Sequence, residues 1–207
     1  MMDAVRADQL PDAGHQLARV FVDGFGQHIS YFSKDPVRLV AAFAHMFRTD
    51  CFFVAVEDGA VVAMAGITDG NEPAVRVNAA HLRRELGLLR GSIAAVVLTK
   101  VWRRGYPVPI GDDWGSIQFV ATAADRRGRG GARAVMEHII EHSGHTTYVL
   151  EVGDRNTVAV ALYESLGFTE LARVPDPDSK HSGYDYLLYL SPDPPVIVEF
   201  GGLVGVS

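Results

Sequence analysis

The chain has 207 residues, of which 48% are hydrophobic and 21% charged, with a formal net charge of −6. That length suits one ordinary domain and that balance excludes a mainly disordered chain. The negative charge excludes a surface that attracts nucleic acid overall, and the single cysteine, Cys51, excludes an internal disulfide framework or a Cys-based zinc ribbon.

The first fifteen residues, MMDAVRADQLPDAGH, lack the apolar stretch of a signal peptide. The longest nearly uncharged apolar run, Gly91 to Leu98, is far short of the ~20 residues that a membrane span needs. A cytoplasmic protein with neither a membrane nor a nucleic-acid partner is the expectation.

In chain order, Asp12 to Phe25 reads as a helix, with Leu17, Val20, Phe21 and Phe25 at helical spacing. Asp35-Pro36 opens a second, a capping residue followed by a proline that suits the first turn. Its apolar stripe is Leu39, Val40, Phe43, Met46 and Phe47. Cys51 to Val56 and Ala60 to Ile67 read as strands joined at Asp58-Gly59, a hairpin signal. Ala79 to Leu89 and Ile93 to Arg103 read as helices meeting at Gly91, followed by a loop from Gly105 to Gly115. Ser116 to Thr122 reads as a strand, Gly130 to His142 as a helix and Thr146 to Val152 as a strand. Asn156 to Leu166 is a short helix stopped by Gly167. Phe168 to Val174 and Gly183 to Leu190 are two more strands, and an edge strand follows Pro194-Pro195. This order predicts a single α/β domain with a mixed sheet.

The sharpest feature is the unit from Ile117 to Ile140. An apolar run, IQFVAT, leads into ADRRGRGGARAV and a helix, with Arg126, Arg127, Arg129 and Arg133 among eight positions. Glycines let backbone N–H groups approach an anion, a helix N-terminus adds partial positive charge, and arginine supplies bidentate contacts. The combination reads as a phosphate cradle. It is not an ATP-binding P-loop, because the chain has no Gly-Lys dipeptide. The dinucleotide fingerprint fails as well, since Arg133 stands where its third glycine belongs.

These residues resemble the GNAT superfamily of N-acetyltransferases. Arg127 to Ala132 matches the Gln/Arg-x-x-Gly-x-Gly/Ala loop of that family. Downstream, the family pattern is met at Asn156, Ala159, Leu162, Tyr163, Gly167 and Phe168. The resemblance covers Ser116 to Leu190 well and Asp12 to Ile67 in element order only. Residues 71 to 113 depart from it, being longer than the family's usual connection. It implies an α/β (α+β) fold, a single GNAT-like domain over residues 1–207. Its central mixed, mostly antiparallel sheet has splayed fourth and fifth strands and is flanked by helices. A helical insertion at about 71–113 and a C-terminal tail at 191–207 complete it.

The same resemblance implies acetyl-CoA as co-substrate, no metal, and direct attack by a bound amine. The pyrophosphate would lie on the N–H groups from Gly128 to Ala132, that is Gly128, Arg129, Gly130, Gly131 and Ala132, with charge added by Arg127 and Arg129. Backbone groups of Val120, Ala121 and Thr122 would pair with the pantetheine arm, and Asn156 would bond it. Tyr163 would protonate the leaving thiolate; on spacing alone it is equally a core aromatic.

The base is less determined. Glu151 is the only charge inside TTYVLEV. It is either the wet end of its strand or a carboxylate placed for proton removal. Asp112 and Asp113 are weaker alternatives, and a water chain to bulk solvent is a further one. His138 to His142 spells an inverted zinc-protease pattern, but helical geometry turns both histidines towards solvent. Three functions follow: an N-acetyltransferase acting on a small-molecule or peptide amine, a non-catalytic acyl-CoA-binding or regulatory domain, and a phosphate-binding enzyme such as a kinase. The insertion is expected to carry substrate specificity or self-association, with a homodimer favoured.

Overall fold

The computed structural model describes residues 3–102, 105–107 and 111–192. Among them, seven strands form one sheet in the order β1 (Asp3–Arg6), β2 (Phe52–Glu57), β3 (Ala60–Thr68), β4 (Trp114–Thr122), β5 (Thr147–Gly153), β7 (Tyr186–Ser191), β6 (Thr169–Pro175). Neighbours are antiparallel except β4 and β5, which are parallel. Both faces are apolar, so both need helices. One face carries α1 (Ala13–Ile29), α2 (Pro36–Phe43), α3 (Ala79–Leu86) and α4 (Leu88–Trp102). The other carries α5 (Gly131–His142) and α6 (Thr157–Ser165). A single turn, α7 (Ser179–Ser182), precedes β7.

Local chemistry sets several boundaries. The Asp35 carboxylate accepts the N–H groups of Val37 and Arg38 at 2.9 and 3.4 Å, capping α2 as its sequence predicts. Asp58 and Gly59 have φ of 52° and 76°, the paired positive values of a type I′ hairpin between β2 and β3. α2 stops at Phe43, although Met46 and Phe47 extend its stripe; Phe47 instead bridges to Val75 and packs edge-on to Phe21 and Phe52.

Two expectations are corrected. The helices of the insertion break at Gly87, whose φ is 87°, and not at Gly91. Gly91 lies inside α4, where a Cβ would stand 2.5 Å from the Arg83 Cα and the Leu82 oxygen. It lets the backbones of α3 and α4 touch. β1, absent from the sequence reading, pairs with β2 at the sheet edge. The tail strand after Pro194-Pro195 lies outside the described residues, as do Arg103 and residues 108–110 of the loop.

Candidate active site

β4 and β5 are partners only from Trp114↔Thr147 to Ile117↔Leu150. Beyond that point β4 stays with β3, out to Thr122↔Ala63, while β5 stays with β7, out to Gly153↔Leu187. The two strands therefore fork at Gln118 and Glu151. A bulge shapes the β4 side, where the register with β3 slips between Met64 and Gly66 and Phe119 takes φ of 54°. A phenylalanine there costs on the order of 1–3 kcal/mol, held by surrounding packing. Its ring stands 5.5 Å from Trp102 and 6.0 Å from Phe21. The extra residue turns the strand, so Ile117 joins the α5–α6 core and Ala121 the α1–α4 core.

Backbone direction follows. Ala123 N–H donates to the Val62 carbonyl at 2.8 Å, and alternation aims Ala121 at β3 as well. Ala121 is therefore not available to a ligand in the fork. Alternation turns the N–H and C=O groups of Thr122 to the open side, while Val120 sits in the bulge itself, opposite Ala65 with Phe119.

β4 ends at Thr122, and a short 3-10 turn, Ala124–Arg126, leads from it to the glycine-rich turn. Gly128 and Gly130 adopt φ of 74° and 84°, which only glycine takes readily. Gly130 is the cap of α5, and Ala134 N–H reaches its carbonyl at 2.9 Å. The N–H groups of Gly131, Ala132 and Arg133 have no carbonyl one turn back within the helix. They meet the positive end of the helix dipole at an exposed turn. A Cβ at Gly128 or Gly130 would meet nothing within 4 Å, so the turn has room for an anion.

The arginines do more than supply charge. Arg127 donates to the Asp23 carbonyl at 2.7 Å, and the Asp23 carboxylate accepts Ala124 N–H at 3.2 Å, tying the loop to α1. Arg126 pairs with Glu57 of β2 at 2.8 Å, with Arg129 4.0 Å from the same carboxylate. Arg133 bonds Glu137 at 3.3 Å and also the Ser165 hydroxyl on α6.

Glu151 and Tyr163 occupy opposite faces of the sheet. Tyr148, Leu150 and Val152 join the α5–α6 core, so the alternate residue Glu151 faces the α1–α4 side. β5 continues past it to Gly153, so the carboxylate is not at a strand end. It is exposed, and Tyr189, its register partner on β7, donates to Oε2 at 2.6 Å. Tyr163 is buried in the other core, its ring 6.2 Å from Phe168, and burial pushes its phenol pKa well up. Asn156 caps α6 by accepting Ala159 N–H at 3.4 Å, which gives that residue a structural duty. Asp112 and Asp113 precede β4 at its other end, about 16 Å of strand from the fork, too far to take a proton there.

A family model described as acetyltransferase (GNAT) family matches residues 17–168. The chain belongs to the GNAT family. Among relatives, the ribosomal protein bS18-alanine N-acetyltransferase of Escherichia coli K12 is 37% identical over 83 residues, 39% of this chain and 50% of that protein. The chain thus spans about half the length of the curated relatives it matches. Solved structures share the GNAT fold at low identity. The ribosomal-protein-S18-alanine N-acetyltransferase from E. coli aligns with a TM-score of 0.54 at 16% identity, over 92% of each chain. A GCN5-related N-acetyltransferase from Kribbella flavida gives 0.53 at 23% over 92% of this chain and 96% of that one.

Several residues of this GNAT fork escape sequence reasoning. Tyr106, from the insertion, places its hydroxyl 2.6 Å from Ser116 Oγ and its ring 5.8 Å from Tyr189. Gln118 links Ser116, Thr68 and Ala74. The signal for Gln118 is a polar residue within an apolar strand; Tyr106 offers none. Tyr106 of the insertion therefore stands beside the fork. The insertion also exposes Leu88, Leu89 and Val96 of α4 to 70% or more. His138 is not turned fully to solvent. It leans on Phe53, 5.3 Å away, and stacks on His142 at 4.3 Å.

Proposed function

We propose that this GNAT chain transfers an acetyl group from acetyl-CoA to a primary amine by direct attack. One observation carries the reading. The open edge of β4 leads, through one 3-10 turn, to the glycine-capped start of α5, while a carboxylate faces the same fork from β5. The residues fit the co-substrate: N–H groups from Gly128 to Ala132 would hold its pyrophosphate, and Val120 and Thr122 would hold its arm as a further strand would. Arg129 adds charge beside the turn. The thioester carbonyl would then lie at the fork, where a β4 N–H stabilises the developing oxyanion.

The two faces divide the proton work. Glu151 removes a proton from the acceptor ammonium on the α1–α4 side. The freed nitrogen bonds the carbonyl carbon, gives its second proton to water, and the carbon–sulfur bond breaks. Tyr163, kept protonated by burial, gives its proton to the departing thiolate from the α5–α6 side. Deprotonated Tyr163 and protonated Glu151 return to their resting forms by exchange with water.

The relatives and the acidity of amines both support one acceptor class. The curated relatives act on the alanine of a ribosomal protein. An α-amine has a pKa about 8, against about 10.4 for a lysine. A wet carboxylate deprotonates the former far more readily, so a peptide or protein N-terminus is the acceptor we favour. A cytoplasmic setting belongs to the same reading, and among the described residues no helix is long and apolar enough to cross a membrane. Self-association as a homodimer, through the exposed side of α4, is checked by sedimentation.

The experiment is thiol release from acetyl-CoA against a panel of amines: N-terminal peptides, lysine side-chain analogues, polyamines and aminoglycosides. Release with α-amines first supports the reading. Binding of acetyl-CoA without release for any amine supports the non-catalytic acyl-CoA-binding domain instead.

A further inference from the structure

The hydrogen bonds on the acceptor side of the fork have a fixed direction. Gln118 Oε1 lies 3.1 Å from the Ala74 N–H. A backbone N–H can only donate, so that end of the amide is its oxygen. The amide nitrogen then faces Thr68 Oγ1 at 3.2 Å and Ser116 Oγ at 2.9 Å, and its two hydrogens go there. Thr68 Oγ1 also accepts the Gly70 N–H at 3.2 Å.

Ser116 is fully buried and accepts from Gln118. Its own hydrogen has one partner among the described residues, Tyr106 Oη at 2.6 Å. A buried hydroxyl that leaves its proton unused forfeits the hydrogen bond it had in water, so Ser116 donates and Tyr106 accepts. The phenol's own proton is then the last in the chain, and no described residue takes it. Each link polarises the next, which makes that proton a stronger donor. Tyr106 is only partly covered and lies beside Tyr189, the residue that holds Glu151. Its phenol is pushed up to about 12 by burial, against the Ser116 hydrogen bond, with the Glu151 charge adding to the rise. It keeps its proton at any working pH.

Glu151 is the complementary half. Tyr189 occupies Oε2, which leaves Oε1 for a cation. The acceptor side therefore offers a carboxylate oxygen and, on the same sheet face, one neutral donor unspent among the described residues. We infer that Tyr106 is a specificity residue whose hydroxyl donates to the carbonyl next to the acceptor's amine-bearing carbon. The ligand class is an α-ammonium with a carbonyl one carbon away, supplied by a peptide N-terminus or by a free amino-acid amide. This rests on the acetyl-transfer reading for its kinetic arm and not for its binding arm.

The test is Tyr106→Phe, which removes one oxygen and keeps the ring. Three acceptors are compared: an alanyl tripeptide amide, alaninamide, and propylamine, which has no carbonyl. The expected result is a KM about tenfold higher for both carbonyl-bearing acceptors, consistent with the loss of one hydrogen bond. kcat, the propylamine reaction and CoA affinity should hold within about twofold, while the melting temperature falls by a few degrees because buried Ser116 loses its acceptor. Relative KM values for the two carbonyl-bearing acceptors in the wild type show which source is preferred. Equal losses on propylamine would place Tyr106 at the reacting centre and overturn the inference. So would unchanged kinetics, or a loss confined to the tripeptide. Calorimetric titration of the tripeptide into the CoA complex gives the second readout, with about tenfold weaker binding expected in the variant and equal binding contradicting it. If the wild type binds the tripeptide but releases no thiol, acetyl transfer fails while the Tyr106 contact is still decided by that titration.

Discussion

Replacing Glu151 with glutamine tests the division of labour at the fork. The side chain is exposed and keeps an oxygen for the Tyr189 hydroxyl, so stability should change by no more than about 0.5 kcal/mol. What is lost is the proton acceptor. A positioned base contributes typically 10²–10⁴-fold, about 3–5.5 kcal/mol of barrier. Without it the reaction draws on amine that is already neutral. For an α-amine of pKa about 8 that is roughly a tenth of the molecules at pH 7. kcat/KM for an alanyl peptide should therefore fall by at least about tenfold at pH 7. It should then climb about tenfold per pH unit and level off only above about pH 8. The assay is thiol release at saturating acetyl-CoA across pH 6–9. A variant within about threefold of wild type at pH 7, with the same pH profile, would refute the reasoning and leave proton removal to water.

Tyr163→Phe should lower kcat at least about tenfold, with little change in melting temperature or CoA affinity, because only the hydroxyl is lost; unchanged kcat when chemistry is rate-limiting makes the residue core packing alone. Gly130→Val should weaken CoA binding by more than about tenfold in calorimetry, because the new side chain enters the open space at the helix end. The fold should lose on the order of 1–2 kcal/mol to the left-handed φ. Gly91→Ala should lower the melting temperature by on the order of 5–10 °C, since the contacts at 2.5 Å are backbone atoms that cannot swing aside. Stability should fall as pH drops from 6.5 to about 4. Burial and the neighbouring His81 hold the His45 pKa down to about 4, so the unfolded chain binds the proton first; denaturant titration of wild type against His45→Gln should show an acid limb of no more than about 2 kcal/mol, lost in the variant.

The legible parts of this molecule are those where a local cause suffices. Asp35 caps because its own carboxylate reaches the next N–H groups, and Asp58-Gly59 turns because both residues tolerate positive φ. The glycine turn before α5 and the Asn156 cap are of the same kind. What stayed hidden depends on distant partners. Gly87 and Gly91 are equal candidates for a helix break until α3 crosses α4 at Gly91. β1 is four residues with charge at both ends, and only pairing with β2 makes it a strand. The left-handed Phe119 follows from the aromatic cluster around it, which its sequence neighbours do not announce. Glu151 reads equally as a wet strand end until Tyr189 is seen beside it on β7. Tyr106 is placed beside the fork only by its contacts with Ser116 and Tyr189.

Acetyl transfer to a primary amine at the fork of β4 and β5 yields two products that can be counted together. Free thiol and acetylated product should be measured in one reaction, with an alanyl peptide as acceptor and acetyl-CoA in excess. One thiol should appear for each peptide acetylated on its α-amine, none without the peptide, and the rate should collapse in Glu151→Gln. Tight calorimetric binding of acetyl-CoA with no thiol released, for this peptide or any other amine, would contradict acetyl transfer and leave an acyl-CoA-binding domain.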